Sequence, residues 1–163
     1  MKPQLGDTIL NRYTLVSSLR EEPGIQAWKA NDRVLAKDCQ LFIITNRSAF
    51  AAIDELAGRM AATRPDRVIP VLKYRMESDV LLIVMPVDSG QCLTDYMVDT
   101  AKPLSYSAIR SIIGECANVL REVIADTPSG IVITTDTVRV TTSGVQIADA
   151  PCATMLADTS ATD

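Results

Sequence analysis

Residues 19–32 read LREEPGIQAWKAND, with RYTLVSS before them and RVLAKDCQLFII after them. The preceding segment, YTLVSSL at residues 13–19, alternates and is rich in strand formers, so it reads as a strand. EEPG reads as a turn, because Pro23 presets φ and Gly24 permits a positive φ. IQAWKA and CQLFIIT then read as two more strands, joined by a polar connection that carries Asp32 and Lys37. A loop that cradles a phosphate needs glycines, so that backbone N–H groups can come close. This turn has one glycine, two glutamates and a proline. It reads as a structural hairpin tip.

Downstream, SAFAAIDELAGRMAATRP predicts a helix, with Ser48 as its N-cap and Pro65 as its stop. Phe50, Ile53, Leu56 and Met60 follow the three-and-four spacing of one helical face. VIPVLKYRM and VLLIVMPV predict a hairpin around ESD, and the second of these strands is apolar throughout, as in a strand covered on both faces. LTDYMVD predicts a short helix. SYSAIRSIIGECANVLREVIAD predicts the longest helix, capped by Ser105, with Ile109, Ile112, Ile113, Cys116, Val119, Leu120 and Ile124 as its apolar stripe. GIVITTDTVRVTTSGVQIAD predicts short strands around a turn at TSG. From Ala150 onward the chain is small and polar and reads as a loose tail. Five strands and one helix therefore come first, then a helical part with a small β pair, which is α+β with segregated elements.

Composition narrows the function. The 163 residues are 47% apolar and 22% charged, ordinary for one globular domain. A net charge of −4 with no basic run disfavours a nucleic-acid or anionic-membrane surface. Histidine is absent, which removes the commonest general base and metal ligand. Cys39, Cys92, Cys116 and Cys152 are far apart, without the spacing of a metal site, and read as indifferent thiols in a reducing cytoplasm. The longest apolar run, residues 80–87, is far short of the roughly 20 residues that span a bilayer.

The order of elements resembles the small lobe and the start of the large lobe of a protein kinase, over roughly residues 12–151. RYTLVSSL and AWKAND resemble the opening of actinobacterial Ser/Thr kinases, and IVMPVDSGQCL resembles their hinge, with Gly90 and Leu93 in place. SGIVITTD stands where the catalytic loop belongs, and VQIADAP where the metal-binding aspartate motif belongs. The resemblance implies a protein-kinase-like α+β fold: a lead-in at 1–11, a five-stranded small lobe with one helix at 12–87, a truncated helical large lobe at 88–151, and a flexible tail at 152–163.

The motifs themselves have changed. The three glycines of the kinase loop match Arg20, Glu22 and Ile25, whose side chains would block close approach to phosphate. The valine over adenine matches Ala27, and Trp28 takes a position usually held by tyrosine. The lysine that neutralises the α- and β-phosphates matches Phe42. Its helix partner persists as Glu55, without a cation to pair with. His, Arg and Asp of the catalytic loop match Ile133, Thr134 and Thr135. Asp136 is one residue out of place, which turns a side chain away in an extended segment. The asparagine for the second metal is missing. The metal aspartate persists as Asp149, followed by Ala150 and Pro151. Phosphoryl transfer depends on positioned charge, and these charges are gone.

A truncated large lobe with these motifs and the tail ADAPCATMLAD is similar to the intracellular pseudokinase domain of the mycobacterial MviN/MurJ lipid II flippase family. That resemblance implies a catalytically inactive regulatory scaffold in peptidoglycan synthesis, without cofactor. It also implies two partners: a Ser/Thr kinase, and a forkhead-associated domain that reads a phosphothreonine. Thr154 sits at the matching end of the domain, with Thr159 and Thr162 as substitutes. The chain would then be the cytoplasmic domain of a membrane protein whose spans lie elsewhere. The competing readings are a nucleotide-sensing pseudokinase that holds Mg-ATP through Asp149 and Glu55 without turnover, an enzyme with relocated residues, and an unrelated α+β domain.

Overall fold

A computed structural model of the chain describes residues 2–64, 66–77, 79–87, 90–99, 103–126 and 131–152. They form two compact units, one from the described residues of 1–61 and 70–87, the other from those of 62–69 and 88–152.

The first unit is a six-stranded antiparallel sheet, in the order β1-β2-β3-β4-β6-β5. Its strands are β1 (Thr8–Ile9), β2 (Tyr13–Glu22), β3 (Ile25–Asp32), β4 (Lys37–Ile44), β5 (Lys73–Met76) and β6 (Leu81–Pro86). Five strands match the expectation. The sixth, β1, belongs to the lead-in, which is ordered because Gly6 N donates to Leu15 O (2.9 Å) and Leu15 N donates to Asp7 O (2.9 Å). One face of the sheet buries Tyr13, Leu15, Trp28, Ala30, Cys39, Leu41, Ile43, Leu82 and Val84 as a single cluster. The alternation of β3 and β4 sends Ile25, Ala27, Phe42 and Ile44 to the other face, where they are also buried. Both faces of β6 are buried, as its unbroken apolar run requires.

Helix α1 (Phe50–Thr63) buries Ile53, Leu56, Ala57 and Met60. Its start differs from expectation. Asn46 caps a 3-10 turn (Arg47–Ala49) by accepting from Ser48 N (3.2 Å) and Ser48 Oγ (2.6 Å), so Ser48 donates rather than caps. Pro65, the expected stop, lies outside the described residues.

The second unit carries α2 (Leu93–Asp99), α3 (Tyr106–Asp126) and a three-stranded sheet of β7 (Gln91–Cys92), β8 (Val138–Thr141) and β9 (Gly144–Ile147). Two findings correct the sequence reading. Val68 and Ile69 do not extend β5. They run beside β9, with Ile69 N donating to Ile147 O (2.8 Å) and Ile147 N to Arg67 O (2.8 Å). The left-handed backbone at Arg67 (φ 59°) breaks the strand before it can form. Ser105 does cap α3, through Ala108 N at 3.1 Å. The stripe of α3 is displaced, however: Val119 and Val123 are buried, while Ile109 and Ile113 are exposed. The side chain of Ile124 lies outside those described.

Candidate functional site

In the first unit the hairpin between β2 and β3 closes as tightly as a hairpin can. Register continues to Glu22 opposite Ile25, leaving Pro23 and Gly24 as a two-residue turn. Gly24 has φ +77°, which a side chain would oppose. Its carbonyl accepts from Thr45 N (2.9 Å) and Asn46 N (3.2 Å), so the tip is tied to the end of β4. Arg20 sits opposite Ala27 and pairs with Glu22 at 3.5 Å, while Ile25 is buried. Glu21 pairs with Lys2, which holds its carboxyl below the usual glutamate range. All three positions matching the glycine pattern therefore lie in paired strands.

Phe42 lies mid-strand in β4, between Ala27 of β3 and Ile83 of β6, and is 2% exposed. The residue that the sequence pattern aligns with the kinase lysine is thus an aromatic ring among apolar neighbours. Glu55 is exposed on α1 and pairs with Arg59 one turn along.

In the second unit, residues 131–137 fold around the buried hydroxyl of Thr137. That oxygen accepts from Thr134 N (2.9 Å) and lies 3.2 Å from the carbonyls of Val132 and Thr134. Ile133 is half-buried, and Thr135 is exposed. Thr135 O accepts from Thr94 N (3.1 Å), and the Asp136 carboxylate accepts from Thr94 Oγ (2.7 Å). The Thr135 carbonyl thus takes a free backbone N–H of the first turn of α2, and Asp136 ties down the side chain beside it.

Asp149 is buried just beyond β9, in a left-handed conformation with φ 56°. The guanidinium of Arg139, on β8, lies 3.6 Å from its carboxylate and also donates to Asp136 O. One arginine therefore joins the two segments that match the catalytic loop and the metal motif. The sequence reading did not single out Arg139. The available signal was its place in VRV, a strand whose partner ends two residues before Asp149.

All four cysteines are free thiols. Burial pushes Cys39 up to about 11 and Cys152 well above the ordinary thiol range, so both are protonated and unreactive at neutral pH. Thr154, Thr159 and Thr162 lie outside the described residues. No group of three or more metal-ligating side chains occurs among the described residues, and no described helix is long and apolar enough to cross a membrane.

No protein-family model matches the sequence, and no curated protein is significantly similar to it. Solved structures are similar in fold. The kinase domain of PknI from Mycobacterium tuberculosis superposes with a TM-score of 0.76 at 15% identity, over 92% of this chain and 62% of that one. A cysteine-to-alanine mutant of the same domain gives 0.76 at 16%, over 93% and 63%. The apo form of PpkA-294 gives 0.77 at 12%, over 98% and 66%. The chain has a protein-kinase-like fold and spans about two thirds or less of the length of these structures.

A kinase fold implies a magnesium nucleotide, and Phe42 and Asp149, the residues that the sequence pattern aligns with its lysine and metal aspartate, do not offer the charges to hold one. In the first unit Phe42 is an apolar ring between Ala27 and Ile83, with no charge to meet a phosphate. The second offers a carboxylate that already faces Arg139, so a divalent cation there would meet a like charge.

Proposed function

We propose that this chain is a catalytically inactive, kinase-like interaction domain. The observation that supports this most directly is Phe42, buried between Ala27 and Ile83 at the lysine position of the kinase pattern. Phosphoryl transfer works through charges aimed at the phosphates, and an aromatic ring supplies volume instead. The finer reading follows from the resemblance to the flippase pseudokinase domains. The domain is a scaffold in control of peptidoglycan synthesis, on the cytoplasmic side of a membrane protein. A Ser/Thr kinase docks on it and phosphorylates a threonine, with Thr154 first among Thr154, Thr159 and Thr162. A forkhead-associated domain then reads the phosphate through charge-assisted hydrogen bonds.

The test is incubation with an active actinobacterial Ser/Thr kinase and Mg-ATP, with a control lacking the kinase, followed by mapping of phosphate by mass spectrometry. Stoichiometric phosphate on one threonine, only when kinase is added, is the expected result. Phosphate in the control would mean that the chain transfers it unaided, and the proposal would fail. A thermal-shift titration checks the nucleotide separately. A ligand at 100 times its Kd stabilises a fold by about 2.7 kcal/mol, so a clear rise in Tm with Mg-ATP would replace this reading with nucleotide sensing.

A further inference from the structure

The connection between β3 and β4, which reads as polar in sequence, carries an apolar tip. Val34 is 71% exposed and Leu35 is 60% exposed. The turn between β1 and β2 lies beside it, because Arg33 N donates to Arg12 O (2.9 Å), and that turn holds Leu10, 37% exposed. Exposed single apolar residues are unremarkable on any protein. This group differs in being held rigidly at one end of the sheet.

Asp32 organises it. Its carboxylate takes a two-pronged grip from Arg12 (Nε at 2.9 Å, Nη2 at 2.7 Å) and accepts from Val34 N (3.0 Å) and Leu35 N (3.3 Å). The two backbone groups that carry the apolar side chains are thus fixed by a buried anion. Backbone strain gathers at the same place. Leu10 (φ 52°), Asn11 (φ 53°) and Ala36 (φ 51°) are all left-handed, and for leucine that conformation is costly. Strain of this kind persists where the surroundings enforce it.

Charge completes the pattern. Arg12 is matched by Asp32, and Lys29 by Asp38. Arg33 and Lys37 border the tip with no carboxylate paired to either among the described residues. The net charge of −4 averages over the chain and does not show these two cations at the tip.

We infer that this sheet end is a docking surface for an anionic lipid bilayer. Val34, Leu35 and Leu10 enter the boundary between headgroups and acyl chains, while Arg33 and Lys37 meet the lipid phosphates. A convex apolar point with a cationic collar suits a fluid interface, which closes around it without a matching pocket. Each cation near an anionic leaflet strengthens binding about fivefold, an effect that salt screens within about 8 Å at physiological ionic strength.

The test is sedimentation of the full chain with vesicles, at millimolar lipid and low salt. One set contains equal phosphatidylglycerol and phosphatidylcholine, the other phosphatidylcholine alone. Partition onto the anionic set is expected to be at least tenfold higher and to fall in 0.5 M salt. The double substitution Val34→Asp with Leu35→Asp is expected to lower it at least tenfold. Arg33→Gln and Lys37→Gln each lower it about fivefold. Leu10→Asn separates binding from folding, because asparagine tolerates the left-handed backbone: Tm holds or rises while partition falls. Equal partition onto both vesicle sets, or variants that bind like the parent chain, would overturn the proposal. Loss of self-association in the aspartate variant, with lipid binding unchanged, would also overturn it and assign the tip to a second copy of the chain.

Discussion

Phe42 and Asp149, which the sequence pattern aligns with two charged positions of a kinase, sit in opposite settings. Phe42 supplies volume and no charge, in a strand with apolar neighbours on both sides. Asp149 carries a charge and faces an internal cation, Arg139. Packing is hard to reverse, since refilling that site means burying a charge. Pairing is easier to reverse, since removing one side chain uncovers the other. The comparison therefore predicts unequal responses to substitution.

The largest effect is expected from Phe42→Lys. It places an ammonium group at a site that is 2% exposed, while Glu55 is already paired with Arg59 at the surface. A loss of about 4 kcal/mol or more in urea unfolding is expected, with Phe42→Leu losing about 1 kcal/mol. A stable Phe42→Lys variant that gains Mg-ATP binding would break the comparison, because the site would then be a nucleotide site missing only its lysine.

Arg139→Ala comes next. It removes a cation from beside a buried carboxylate, at a cost of about 3 kcal/mol. Adding Asp149→Asn should recover much of that loss, and the double-mutant cycle measures the coupling. Additive effects would mean that Arg139 and Asp149 are neighbours only.

The two positions also differed in how far the sequence revealed them. Phe42 was legible because β4 is an apolar run that follows a polar start at Lys37 and Asp38, so its place on the strand follows by counting. The Arg139–Asp149 pair was not, because it depends on how β8 and β9 register and on a left-handed residue after the strand. The same limit explains the fold-level differences. Val68 and Ile69 have strand chemistry wherever they pair, so sequence could not say that their partner is Ile147. In α3, periodicity marked a stripe but could not tell which part of it would be covered, and Ile109 and Ile113 stayed exposed. Polar capping was read only to within two residues, since Asn46 and Ser48 carry similar chemistry.

The Arg12–Asp32 pair gives a third case, in which both charges are kept and fully matched. The hydrogen bond from Arg12, helped by the N–H groups of Leu35 and Val34 and opposed by burial, lowers Asp32 from 3.8 to about 2. A depressed folded-state value means that the unfolded chain takes up the proton first as pH falls. The stabilisation is therefore complete above about pH 4 and is lost as pH falls toward 2. Asp32→Asn is expected to flatten stability across that window, as read by Tm against pH. An unchanged acid limb would mean that the pair is solvated and that the tip it organises is loose.

The smallest effects come from two glycines, one in each unit, and they test how firmly the surroundings hold. A Cβ on Gly58 would lie 3.0 Å from the Tyr74 hydroxyl, the far end of a side chain that can swing outward. Alanine is also favoured over glycine inside a helix by up to about 1 kcal/mol, so Gly58→Ala should be neutral or stabilising by about 0.5 kcal/mol. A Cβ on Gly90 would lie 2.8 Å from Arg139 Cβ and 3.2 Å from Val140 O. Neither atom can move without moving β8, so Gly90→Ala should cost about 2 kcal/mol. Because it displaces β8 at Arg139 itself, its effect should combine non-additively with Arg139→Ala. If Gly90→Ala is as mild as Gly58→Ala, β8 is free to shift. Arg139 would then not be fixed against Asp149, and the contrast between a filled position and a paired one would rest on Phe42 alone.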